Sequence, residues 1–198
     1  IMFVLTLSNL MNVKNFGEFE FWFALIKVVA IIAFIIVALM AVFGFWPLAD
    51  VSGVSNLYQS GGFMPNGFGA VLTGILITIF SFFGAEVVSI AAAESKNPQE
   101  KIRKATNLVI YRIALFYLLS IFLVVALVDW KSPGLVEMGT FQYVLSVLNV
   151  PGTKIIIDFV VFVAVCSCMN TGIYIASRML FSLGTRNDAP KAVTNVTK

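Results

Sequence analysis

The sequence predicts an all-α fold, a polytopic bundle of transmembrane helices, and three observations predict it. Of 198 residues, 60% are hydrophobic and only 12% are charged, against about 25% charge in a soluble domain, and the mean hydropathy is +0.97. The apolar residues fall in blocks at 21–44, 68–93, 108–128 and 154–183, each long enough to supply the about 20 residues with which a helix crosses a bilayer. The blocks are continuous, unlike the short alternating segments of a closed membrane barrel.

An apolar stub at 1–13 opens the chain, too short to cross, and the last residues are polar. The expectation is a piece of a longer polypeptide, without the basic start and cleavage site of a signal peptide. Cys166 and Cys168 stand two apart on one predicted helix, so their side chains diverge and no disulfide is expected. The absence of histidine and of a cysteine cluster removes most zinc chemistry, and no cofactor is implied. The net charge of +3 comes from residues between the spans and not from a folded basic face, so nucleic acid is not an expected partner. No nucleophile stands beside a positioned base, and an enzyme is not expected.

Lys and Arg collect on the cytoplasmic side of short loops. Lys14, then Lys96, Lys101, Arg103 and Lys104, then Arg178, Arg186, Lys191 and Lys198 mark alternate connections. The connections at 45–67, with no Lys or Arg, and 129–152, with Lys131 alone, are placed outside. The first of these is turn-rich, with Trp46 suited to the interface belt. Within the second, the stretch at 139–150 is apolar but too short to span, and reads either as a partly re-entrant cap or as a plain interfacial helix.

In the block at 21–44, Lys27 lies about 9 Å along the helix. It either snorkels to the cytoplasmic surface or is a buried ammonium whose charge changes during function. Glu18 and Glu20, just before the block, read as solvated or capping residues.

The block at 68–93 is about 39 Å long as a helix, with its midpoint near Phe80 and Ser81. Polar backbone at that depth is satisfied internally unless it lines a cavity. Gly84 beside Ser81 and Glu86 therefore has two readings: a deliberately interrupted helix whose freed backbone groups bind a ligand, or close helix packing at a small residue. An acid as deep as Glu86 costs several kcal/mol on insertion and is functional by default, either permanently charged against a partner or taking up a proton in the coupling step, as Lys27 also could.

In the block at 154–183, Ser167, Asn170, Thr171, Tyr174 and Ser177 recur at three- and four-residue steps, which puts them on one face. Such a stripe either bonds neighbouring helices or walls a pathway. Lys154 and Asp158 read as an interfacial pair. The stretch ESKNPQEKIRKATN at 94–107 reads as an ordinary cytoplasmic loop with a Pro break and a basic helix start.

Three stretches carry a family resemblance: FSFFGAEVVSIAAAESKNPQEKIRKATNLVIYRI, NVKNFGEFEFWFALIKVVAI and SCMNTGIYIASRMLFSLGTRNDAPK. Together they resemble the amino acid permeases of the amino acid–polyamine–organocation superfamily, nearest to bacterial permeases of the 4-aminobutyrate and aromatic amino acid type. The resemblance implies a parent of about twelve helices with a five-plus-five inverted repeat, of which this chain holds the end of helix 4 and helices 5 to 8. It implies substrate binding by the helix 6 segment Phe80, Ser81, Phe82, Phe83, Gly84 and Ala85. The carbonyls of Phe80 and Phe83 would receive the ammonium, an aromatic would shield the site, and Glu86 would follow the break. Lys27 matches a helix 5 lysine that stands in for sodium in proton-coupled relatives. The helix 1 half of that site lies outside this sequence.

The function so implied is import of an amino acid by a secondary active transporter, the expected partners being the substrate, a coupling proton and the lipid of a bacterial inner membrane. The alternatives left open are a channel or receptor-like bundle with the stripe as its wall, and a membrane enzyme with its catalytic cluster elsewhere.

Overall fold

The computed structural model describes residues 6, 13–49, 51, 53–59, 61–62, 64–81 and 97–194. In chain order its elements are α1 (Val13–Val42), α2 (Asn56–Gln59), α3 (Gly67–Ser81), α4 (Pro98–Arg112), a π-helical segment (Ile113–Leu118), α5 (Leu119–Leu127), α6 (Gly134–Glu137), α7 (Thr140–Val147), α8 (Thr153–Thr185) and a closing 3-10 turn (Lys191–Thr194). Among the described residues there is no strand.

Among the described residues, three helical runs are long and apolar enough to cross a membrane: Gly17–Val42 with 26 residues, Gln99–Leu127 with 29 and Thr153–Thr185 with 33. At 1.5 Å per residue even the shortest reaches about 39 Å, more than the roughly 30 Å of a hydrocarbon core.

The helices outrun the apolar blocks that predicted them. The block at 21–44 lies in a helix that starts at Val13, and the block at 108–128 in a helical run that starts at Pro98. Apolar patterning marks where lipid lies, whereas a helix continues until its hydrogen-bond ladder is broken. Pro98 stands at the first helical turn, where a missing N–H leaves nothing unpaired; the proline break is thus the first residue of α4, and much of the basic stretch is helical. The block at 68–93 is helical as far as Ser81. Phe82, Phe83, Gly84, Ala85 and Glu86 lie outside the described residues.

The chain divides into two compact units, Ile1–Val28 with Asp158–Lys198, and Val29–Ile157. The core of the second is built from three helices. Phe34, Ile35, Ala38 and Ala41 of α1, Leu123, Val124 and Leu127 of α5 with the adjoining Val128, and Val144 and Leu145 of α7 with the adjoining Leu148 form one cluster of buried residues. On each helix these positions recur at three and four residues, one stripe per helix. Ala38 and Ala41, essentially unexposed, allow α1's neighbours to approach its backbone, the usual use of small residues in membranes. Phe34 meets the edge of Phe141, ring centroids 4.8 Å apart.

The stretch at 139–150 thus holds a helix seated on this core. Its carbonyl end is tied down from a distance: the Trp46 indole donates to Leu148 O at 2.9 Å, and the Asn149 amide donates to Leu48 O at 2.9 Å. Helix ends are closed by left-handed residues. Gly44 (φ 74) and Asn149 (φ 54) are each followed by an N–H that reaches back five residues, Phe45 to Met40 O at 2.8 Å and Val150 to Leu145 O at 3.1 Å. This is the Schellman arrangement.

The outward faces are apolar, as the core is. Exposed positions on α1 include Phe21, Trp22, Leu25, Val29, Ile32 and Ile36, and on α8 Phe159, Phe162 and Val165. Ser120, Ser167 and Asn170 are buried. An outer apolar face with polar groups inside is what lipid as solvent selects.

Candidate functional site

The site lies within the unit formed by Ile1–Val28 and Asp158–Lys198. Glu20 and Lys27 stand seven residues apart on α1, two helical turns, so they share one face about 10.5 Å apart along the axis. Long helical side chains lean toward the helix N-terminus. The Lys27 stem therefore runs back toward Glu20, and the ammonium comes to 3.9 Å from Glu20 Oε1.

Between them stands Ser167 of α8, only 1% exposed. The Lys27 ammonium donates to Ser167 Oγ at 2.7 Å, and the same hydroxyl donates to Glu20 Oε1. A hydroxyl can accept and donate at once, so Ser167 links cation and carboxylate in one continuous chain. Glu20 Oε2 is buried and has no hydrogen-bond partner among the described residues. Side-chain exposure is 35% for Lys27 and 27% for Glu20, and partly desolvated charges of this kind persist where they are paired and hydrogen-bonded.

Depth matters here. Measured from Gly17, where the apolar span begins, Lys27 lies about 15 Å along the helix.

Glu20 needs correction. The sequence reading made it a solvated or capping residue beside Glu18; Glu18 is exposed, whereas Glu20 is half-buried and engaged with Ser167 and Lys27. The sequence did hold a signal, an acid seven residues before a lysine on one helix face. Its partner Ser167, 147 residues away, was not visible.

The polar stripe of α8 divides along its length. Ser167 and Asn170 are each 1% exposed, Thr171 and Tyr174 are half-buried, and Ser177 is exposed. Ser177 turns its hydroxyl onto Tyr174 O at 2.7 Å, and the Arg178 guanidinium lies over the Tyr174 ring, 5.1 Å from its centroid. Lys154 and Asp158 are exposed and form no ion pair among the described residues. Cys166 is buried, Cys168 exposed, and both are free thiols. Of the proposed substrate segment, Phe80 and Ser81 close α3, with the remainder outside the described residues.

Comparison with known proteins follows the same lines. The family model for amino acid permeases matches residues 1–198. The chain is 57% identical over its whole length to a gamma-aminobutyric acid permease of Escherichia coli, covering 42% of that protein. It is 55% identical to a probable GABA permease of Pseudomonas aeruginosa, over 98% of the chain and 41% of the relative. It is 41% identical to an aromatic amino acid transport protein of Corynebacterium glutamicum, over 95% of the chain and 41% of the relative. The chain thus spans less than half the length of these relatives, and no solved structure matches it. Matched from residue 1 to residue 198 and more than half identical to proteins named as permeases, the chain belongs to the amino acid permease family of multi-pass helical membrane proteins.

Proposed function

We infer that the whole protein is a secondary active transporter that takes up an amino acid of the 4-aminobutyrate type, coupled to protons, by alternating access in a bacterial inner membrane. The observation that supports it most is the order of likeness. Relatives named for gamma-aminobutyric acid are 51% to 57% identical, and those named for aromatic amino acids 41% to 43%.

In this reading the substrate's ammonium is received by backbone carbonyls of the Phe80, Ser81, Phe82, Phe83, Gly84 and Ala85 segment, with Glu86 after it, in the manner of interrupted transporter helices. Asn170, Thr171 and Tyr174 line the path. Lys27 carries the coupling charge, supported by its depth and by its hydrogen bond to Ser167.

The test is uptake of radiolabelled 4-aminobutyrate by the full-length protein in vesicles, with aromatic, basic and small neutral amino acids as competitors. Saturable uptake displaced best by unlabelled 4-aminobutyrate is expected. Flux that does not saturate would replace the carrier by a channel, and stronger displacement by phenylalanine or tyrosine would move the substrate class.

A further inference from the structure

The geometry points to Glu20 as the protonatable counter-charge of Lys27, which makes the clasp between α1 and α8 sensitive to protons. This rests on the proton-coupled reading above and assigns to it a residue that the reading does not use.

The clasp runs from the Lys27 ammonium through Ser167 Oγ to Glu20 Oε1. Ser167 accepts from one charge and donates to the other, so the bond order is set by a positive Lys27 and a negative Glu20. Ser167 is buried, and the next hydroxyl on that face of α8, Thr171, lies four residues further along the helix.

Glu20 Oε2 is the oxygen on which a proton arrives without displacing an existing bond, since it is buried and unpartnered among the described residues. The step is simple. One proton from water adds to Oε2 and forms an O–H bond; no protein bond breaks, and the charge of the pair rises from zero to plus one. Lys27 then loses its counter-charge within 3.9 Å, and the hydrogen bond from Ser167 falls from charge-assisted to ordinary strength. The joint between α1 and α8 is weakened at the point where these helices share a buried polar contact.

Among the described residues of α1 and α8, the other groups near the clasp do not supply the same charge. On α1 the neighbouring acid, Glu18, is exposed. On α8 the titratable groups beside Ser167 are the thiols of Cys166 and Cys168, and the charged Asp158 and Arg178 are more than two turns away.

The experiment is proton-driven accumulation of radiolabelled 4-aminobutyrate by the full-length protein in proteoliposomes, with external pH varied and a protonophore control. One proton per substrate across one pH unit drives about tenfold accumulation. Glu20→Gln, which keeps an acceptor for Ser167 but does not titrate, is expected to lose that accumulation and flatten the pH profile while retaining exchange of external for internal substrate. Glu20→Asp is expected to restore pH dependence with a displaced profile.

A Glu20→Gln protein that accumulates substrate with the wild-type pH profile overturns the assignment and leaves proton coupling standing. Wild-type accumulation untouched by the protonophore overturns proton coupling, and the assignment with it. If Glu20→Gln does not insert, Glu20→Asp decides alone: a displaced profile supports the role, and a profile superimposed on the wild type removes it.

Discussion

A methyl group placed on Gly134 would stand 2.2 Å from Cε2 and 2.4 Å from Cδ2 of the Tyr143 ring. Tyr143 is partly buried and packs against the core of its unit, so moving the ring aside disturbs that packing. Gly134→Ala is therefore expected to destabilise the protein by about 1–3 kcal/mol, the cost of overpacking, read as a lower thermal midpoint of the purified full-length protein. Gly172 is the contrast, with nothing within 4 Å of the added carbon. There an alanine removes the helix penalty of glycine, about 1 kcal/mol, and the midpoint is expected to hold or rise; equal losses at both positions would contradict the packing described. Neither outcome was legible in the sequence, where both are glycines in ordinary surroundings. The same holds for Glu20, whose role depends on a hydroxyl contributed by another helix.

At the scale of elements, α7 shows how a short helix is held in place. Its core side chains, Val144 and Leu145, carry the packing, while Asn149 closes its end with φ 54 and bonds Leu48 O. A side chain with a Cβ strains the left-handed conformation by about 1–2 kcal/mol, a cost asparagine offsets through local hydrogen bonding. Asn149→Ala is expected to lose more than about 1 kcal/mol of stability. Asn149→Gly, free of that strain, is expected to lose less, as measured by the same thermal unfolding. An alanine variant as stable as the glycine variant would remove the left-handed closure from the account. Gly44 at the end of α1 could be anticipated, because glycine is the usual closing residue. The seat of α7 could not, because the stretch at 139–150 reads equally as a cap or as an interfacial helix until its partners on α1 and α5 are known.

For the molecule as a whole, the outward apolar faces make a prediction that separates lipid from water as solvent. Ile36 is 52% exposed. On a water-soluble protein an exposed isoleucine changed to lysine alters stability by roughly 0.5 kcal/mol or less, whereas a lysine within a membrane helix costs about 2.5–3.5 kcal/mol on insertion scales. Ile36→Lys is expected to reduce membrane insertion of α1, measured by the fraction of protein integrated into microsomes. Integration equal to that of the wild type would contradict a lipid-facing position.

The order of apolar blocks and charged connections was sufficient to establish the class of fold, because hydrocarbon penalises charge and unpaired backbone wherever they occur along a chain. Helix limits followed less well, since a helix such as α1 or α4 continues through polar residues that lipid does not cover. Tertiary structure alone decided which polar residues act together. Lys27 was visible as an isolated charge, but its engagement with Ser167 and Glu20 required two helices distant in sequence to meet, and hydrogen bonds are settled by distances of a few ångströms that no one-dimensional pattern contains.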